Sequence, residues 1–436
     1  MRKYLLVVMF LYLAVPCWGQ VDALHREVAF LADSVGNRYP SSAGDLQVRA
    51  HIMKRFSKCN LECHEQPFEI VEYVWGEGSM QLLEDGIEKE FIFGKDFDVS
   101  GRSAADTLEA SYVVVAGALP DSLHCLLRDK VVICLQKSPA SGAGARVLSI
   151  SDVMRAGGLA MISVHPQGMK ITHRKAKGNR SYTPHPIPML SLDFDMLSAF
   201  IPQSVADSMS AGSIFKAPAS KRIKIATSHY EKRIPAANVV GLKRGAGNKY
   251  IVVGAHYDTC APDEDTGETR RGANDNASGV AVMITLAERL SRIETRNNIL
   301  FVAFGGEEKG FLGSMHFVSH LPFNKDDVVE MINLDMVGRM ENDVLYYKQY
   351  NDVRLNPTGV SQGELVLSER EGGLSDYYDF FHAGIPVTYF HTGEDPAIHT
   401  SADTSDRLNF KGMDRILDFI CQYLHSIDAT SLNGPF

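Results

Sequence analysis

The stretch Tyr250–Asp275, YIVVGAHYDTCAPDEDTGETRRGAND, runs from an apolar segment into groups that can bind a metal or move a proton. Ile251–Val253 ends at Gly254-Ala255, and the chain then shows His256 and Asp258; a polar, glycine-containing loop leads on to Asp275 within GANDNASG. Two further apolar runs end alike, Asn298–Phe304 at Gly305-Gly306-Glu307-Glu308 and Val328–Leu334 at Asp335, and His399 stands in a loop after the run Ile385–Phe390. A single aspartate after a strand is ordinary, because it caps a helix or closes a turn. Several acids at one edge of one sheet are different: crowded carboxylates repel and hold on to their protons. A cation is the simple way to keep them ionised.

The donor types narrow the cation. Imidazole plus carboxylate without thiolate suits zinc, with manganese or cobalt as alternatives, whereas an all-oxygen set would have suggested calcium or magnesium. Two histidines and three carboxylates also suffice for two ions that share one carboxylate. Such ions, roughly 3.5–4 Å apart, bind a substrate oxygen, activate a water and stabilise the developing oxyanion. Glu307 and Glu308 are neighbours and cannot both address one ion in the same manner; one can ligate while the other serves as general base. The flanking Gly305 and Gly306 let backbone approach a crowded site.

The elements that must position these groups alternate. Ala236–Leu242 and Tyr250–Ala255 read as strands joined by the glycine-rich Arg244–Asn248, which predicts a hairpin. Ser278–Ile293 predicts a helix, with Val280, Met283, Ile284, Ala287 and Leu290 on one face, and Met413–Ile427 predicts the last helix. Strands alternating with helices imply an α/β fold: a mixed, largely parallel central sheet flanked by helices, with ligands at the carboxyl ends of the strands. Before this region, Val21–Val35 and Asp45–Cys59 read as amphipathic helices and Leu61–Tyr73 as a strand. From about Phe93 the texture changes to short β-like runs, Tyr112–Val115, Val131–Cys134, Ala160–Val164 and Met189–Leu192, with a helix-like Ser149–Ala156 among them. No acid–histidine pattern recurs there. Residues 93–222 are therefore expected to be an inserted domain without catalysis of its own, and residues 20–92 with 223–436 a discontinuous catalytic domain. The basic loop His173–Arg180 reads as a solvated face.

With 436 residues, 45% of them hydrophobic, the chain can bury two cores. Its formal charge, 44 − 53 = −9, argues against a nucleic-acid partner. Residues 1–19 carry Arg2 and Lys3, a short apolar run Leu5–Val15 and Cys17-Trp18-Gly19, the pattern of a signal peptide. The expectation is export, to periplasm or medium, with no stable membrane insertion after cleavage. Cys59/Cys63 and Cys125/Cys134 are the cysteines closest in sequence, and buried free thiols fit each pair as well as a disulfide does. Asn179-Arg-Ser and Asn276-Ala-Ser match the glycosylation pattern, the second inside the metal loop.

GAHYD at 254–258, GANDNASG at 272–279, GGEEKGFLGS at 305–314, NLDMVG at 333–338 and IHTSADT at 398–404 resemble, in order and spacing, the motif series of co-catalytic di-zinc aminopeptidases, peptidase family M28. The resemblance covers about half of the chain. Residues 93–222 are similar to a protease-associated domain. The resemblance implies a phosphorylase/hydrolase-like fold and removal of N-terminal residues from peptides. It implies two zinc ions, one held by His256 and Asp335, the other by Glu308 and His399, with Asp275 bridging. Glu307 would be the general base, working on water activated at the metal. Asp258 would orient His256, and Asp403 would do the same for His399. One departure stands out: where many members carry Ser-Asp-His, this chain has Ser375-Asp376-Tyr377-Tyr378, so a tyrosine there either donates to the oxyanion or packs. Two other readings use the same scaffold. A glutaminyl-peptide cyclotransferase would hold a single zinc, and a receptor-like binding protein would have lost ligands or base.

Overall fold

The structure, a computed structural model, describes residues 17–100, 102–135, 148–165, 184–263, 266–353, 355–361 and 363–430. The expected signal segment up to residue 16, the basic loop at 173–180 and Asn179 lie outside the described residues. The chain divides into two compact units, residues 1–70 with 234–436, and residues 71–233. The boundaries expected at 93 and 222 fall at 71 and 233 instead. The physical reason is hydrogen bonding. Ser79–Glu84 pairs in antiparallel register with Lys221–Thr227, which pairs in turn with Asp106–Ala116, so both flanking segments are tied to the insert's own sheet.

The first unit is built on strands β1 (Glu62–Trp75), β2 (His229–Lys243), β3 (Tyr250–His256), β4 (Asn298–Phe304), β5 (Val328–Leu334), β6 (Val344–Tyr350), β7 (Val366–Glu369) and β8 (Val387–His391). They lie in the order β1-β2-β4-β3-β5-β8-β6-β7. The centre is parallel, since β3 pairs parallel with both β4 and β5, and β5 pairs parallel with β8. β2 and β6 join it antiparallel, giving the expected mixed sheet. The hairpin expected between β2 and β3 does not form, because β4 lies between them. The glycines of that connection serve a close approach instead: a Cβ on Gly245 would stand 2.2 Å from the Asn297 carbonyl, and the Ala246 and Gly247 amides donate to Thr295 and Arg296.

Alternation along the strands assigns the two faces. Ile251, Val253 and Ala255 of β3 and Ile299, Phe301 and Ala303 of β4 share one core with helices α1 (Cys17–Val28), α2 (Ala43–Lys58), α3 (Ser278–Leu290) and α6 (Phe410–Thr430). Val252 of β3 and Leu300, Val302 and Phe304 of β4 share the other with α4 (Leu312–Ser319) and α5 (Tyr377–His382). Strands buried on both faces read as continuous apolar runs, which is why β3, β4 and β5 are legible in the sequence. α2 begins at Ser42, whose side chain accepts the Asp45 amide at 3.1 Å. No described helix is long and apolar enough to cross a membrane.

The second unit has its own sheet. Its parallel centre, Asp106–Ala116, Val131–Leu135, Ala160–Val164 and Met189–Leu192, is flanked by antiparallel strands. Its apolar clusters draw only on residues of that unit. Cys59, Cys63, Cys125, Cys134, Cys260 and Cys421 are free thiols.

Candidate metal centre

Parallel strands β3, β4 and β5 end at one edge, and the loops leaving them bring five side chains together with a sixth from the loop after β8. His256 closes β3 and is 1% exposed. Asp335 follows β5, Glu307 and Glu308 sit in a tight helical turn after β4, and Asp275 lies in the kinked turn before α3. His399 reaches in from the loop after β8, its own φ in the left-handed region at 58°.

The distances divide the set in two. His256 Nε2 lies 3.1 Å from Asp275 Oδ1 and 3.4 Å from Asp335 Oδ1. His399 Nε2 lies 3.1 Å from Asp275 Oδ2 and 3.1 Å from Glu308 Oε2. Asp275 thus turns one oxygen to each histidine. Donor atoms of His256, Glu307 and Asp335 lie within 4.8 Å of one another, and so do those of Cys260, Glu308 and His399. Cys260 is a member that the sequence reading, which took the set as free of thiolate, did not include. Its Sγ donates to Glu308 Oε2 at 2.8 Å, and only its place two residues after Asp258 could have suggested it.

The electrostatics are those of a site short of positive charge. Burial alone would lower the His256 imidazolium, yet Glu307 and Asp335 hold it well above the ordinary histidine value. His399, hydrogen-bonded to Asp275 and Glu308, is pushed up to about 10. Burial pushes Glu307 well above the usual carboxylate range, and its neighbours Asp335, Glu308 and Asp376 add to this. Burial would raise Asp275 too, but the two histidines pull it far down. Protons on imidazole and carboxyl therefore supply the charge that the cluster demands. A divalent cation supplies the same charge through the same lone pairs. Both ring nitrogens of His256 and Oδ1 of Asp335 are buried without a hydrogen-bond partner. Such atoms are costly unless something binds them, so the donor set fits a metal.

The surroundings hold backbone more than side chains. Asp258 Oδ1 stands 3.6 Å from His256 Nδ1, beyond a hydrogen bond, but its carboxylate accepts the Glu307 amide at 3.1 Å and the Glu308 amide at 3.3 Å. It fixes the Glu307-Glu308 turn more directly than the imidazole. Asp403, expected near His399, instead accepts the amides of Asn274 and Asp275 at 2.8 and 3.0 Å. Asn276 is fully buried, donating to the Leu334 carbonyl and accepting the Gly279 amide, so it offers no glycosylation site. The Asp275–Asn276 peptide is cis. Gly272 has φ +55°, and a Cβ there would stand 2.2 Å from the Asp275 carbonyl, so this position requires glycine. Tyr377 packs: its ring stacks on Tyr350 and Tyr389, each at 4.9 Å, and its hydroxyl accepts that of Tyr350 at 3.2 Å. Arg339 is ion-paired to the buried Asp395, which also accepts the Asn274 amide group at 3.1 Å.

One anchoring residue was invisible in the sequence. Arg38 is fully buried and donates to the carbonyls of Leu31, Gly36, Tyr257, Arg271 and Gly272 at 2.6–3.1 Å. It joins the end of the N-terminal helical segment to both ends of the loop between His256 and Asp275.

The chain is similar to known proteins. Residues 238–424 match the pattern described as peptidase family M28. Aminopeptidase YwaD of Bacillus subtilis (strain 168) is 32% identical over 201 residues, 42% of this chain and 43% of its own length. The chain therefore spans less than half the length of that curated relative. An aminopeptidase from Aneurinibacillus sp. strain AM-1 superposes with TM-score 0.62 at 20% identity, over 93% of each chain. A zinc aminopeptidase from Bacillus subtilis does so with TM-score 0.56 at 20% identity, over 93% of this chain and 94% of its own. At such identity the likeness is one of fold. Residues 238–424, which hold every donor described above, match peptidase family M28.

Proposed function

We propose that the chain is a zinc-dependent exopeptidase, an aminopeptidase that removes N-terminal residues from peptides. The observation that carries this reading is Asp275, one oxygen toward His256 and the other toward His399, with Glu307 beside the first cluster. His256 and Asp335 would hold one zinc ion, Glu308 and His399 a second, with Asp275 shared. Bound there, the ions would supply Lewis acidity, polarising the scissile carbonyl and making water acidic enough to attack near neutral pH.

The protein's residues do the rest. Glu307 accepts the proton of the attacking water and delivers it to the leaving amine. Its burial suits this, because a carboxylate with raised proton affinity is the better base. Asp258, through the Glu307 and Glu308 amides, keeps the base and its neighbour at a fixed separation. Asp403 and Arg38 hold the loop that presents Asp275. Residues 71–233 form an inserted domain of the protease-associated kind, with no metal-donor cluster among its described residues, and residues 1–19 direct export to periplasm or medium.

The test is elemental analysis of the purified mature chain together with a panel of aminoacyl-anilides. Close to two zinc ions per chain and chelator-sensitive release of N-terminal residues are expected. One zinc without hydrolysis would favour the cyclotransferase, and neither metal nor turnover would sink the enzymatic reading.

A further inference from the structure

The two halves of the centre differ in donor chemistry. Around His256 the donors are nitrogen and oxygen only. Around His399 a thiol joins them. Cys260 Sγ is 2.8 Å from Glu308 Oε2, and that same oxygen is 3.1 Å from His399 Nε2. His399 Nε2 is in turn 3.1 Å from Asp275 Oδ2. Three donor groups, a thiol, an imidazole and a carboxylate, thus lie within 4.8 Å of one another, and Asp275 adjoins the imidazole. The thiol is held in place. Asn37 Nδ2 donates to the Cys260 carbonyl at 2.8 Å and to Thr259 Oγ1 at 3.1 Å, and the Arg38 amide donates to the same hydroxyl at 2.9 Å. A second, independent sign that the centre takes metal comes from the other half, where both ring nitrogens of His256 and Oδ1 of Asp335 are buried without a hydrogen-bond partner.

We propose that Cys260 is a ligand of the metal ion held by Glu308 and His399, so that the two ions of the centre are chemically unlike. This rests on the metal-centre reading above. On coordination the thiol gives up its proton to solvent and the sulfur lone pair binds the metal. With Cys260, Glu308 and His399, and with Asp275 shared, that ion would have a sulfur donor that the ion at His256 lacks. The ion at His256, Asp335 and Asp275 would have nitrogen and oxygen donors only, with Glu307 beside them. A thiolate also selects zinc or cobalt over magnesium and manganese at the second position.

Cobalt(II) titration of the metal-free protein tests this without recourse to activity. A thiolate ligand gives cobalt an intense near-ultraviolet charge-transfer absorption that nitrogen and oxygen donors lack. The band is expected in the native chain and lost in Cys260→Ser, although Cys59, Cys63, Cys125, Cys134 and Cys421 remain. Cys260→Asp, which restores an oxygen donor, is expected to bind two cobalt ions without the band, and Cys260→Ser to bind the second at least tenfold more weakly. Two cobalt ions bound with identical spectra in native chain and Cys260→Ser would overturn the ligand role and leave the two-metal reading standing. No cobalt binding by the native chain would overturn both.

Discussion

At the residue scale, Glu307 and Glu330 show how burial sets a carboxyl to different uses. Glu307→Gln keeps the shape of the side chain but cannot accept a proton. Turnover of aminoacyl-anilides is expected to fall by roughly 10²–10⁴-fold with metal content unchanged; a variant retaining native turnover would remove Glu307 as base. Glu330 lies on β5 away from the centre, and its Oε1 accepts the hydroxyls of Thr388 and Tyr423 at 2.6 and 2.7 Å. Burial nevertheless pushes it from 4.5 up to about 7. The folded chain binds this proton more tightly than the unfolded chain does. The resulting stability is complete below about pH 4.5, falls as pH rises, and is gone above about pH 7, a span worth about 3 kcal/mol. Glu330→Gln keeps an acceptor for both hydroxyls and abolishes the titration. In urea unfolding, the variant's stability relative to the native chain should rise by up to about 3 kcal/mol between about pH 5 and about pH 8. Parallel curves would show that Glu330 is ionised in the fold.

At the element scale, the centre depends on how the loop between β3 and α3 is pinned. Arg38 satisfies carbonyls at both ends of that loop from a position outside the strand–helix series. Burial lowers its guanidinium only to about 10, so it stays charged at neutral pH beside the acidic cluster. Arg38→Met would leave five buried carbonyls without their donor, each worth roughly 1–3 kcal/mol if water does not replace it. A loss of at least about 3 kcal/mol in chemical denaturation is expected, with weaker zinc binding, and native stability in the variant would show that water substitutes for the guanidinium. Arg38 also marks where sequence reading stops. The central strands were legible because burial on both faces writes itself as an unbroken apolar run, and the metal loops because their acids and histidines follow those runs. An arginine carries no such signature, since it is normally a surface residue. Asp403 was legible as important but not in its role, because its partners are backbone amides, which have no letter in the sequence. The order β2-β4-β3 was hidden for a related reason: a glycine-rich link reads the same whether it turns a hairpin or lets backbones touch. β6 and β7, the last two strands on one side of the sheet, have only partial apolar alternation and were not foreseen.

At the scale of the whole molecule, the division into two units follows from cores that share no residue. Ile251, Phe301 and Ile332 belong to one, Val114, Ile133 and Ile162 to another. Each sheet has a parallel centre, and each is large enough to bury its own apolar faces. The connection between units is correspondingly simple. Chain enters the insert along β1 and returns along β2, neighbouring strands, and where they leave the sheet the Gly76 amide donates to the Ser228 carbonyl at 2.9 Å. Ends so close can be joined by a short turn without altering strand register. Replacing residues 76–228 by an Asn-Gly turn is therefore expected to give a soluble chain that unfolds cooperatively and binds zinc in the same stoichiometry as the whole protein, since every donor lies between His256 and His399. Elemental analysis and calorimetry check this. In the intact chain two calorimetric transitions are expected, one of them shifted upward by zinc and the other indifferent to it, because a ligand stabilises only the unit that binds it. A single transition moved as a whole by zinc, or a shortened chain that precipitates, would show that the two cores depend on each other despite sharing no residue.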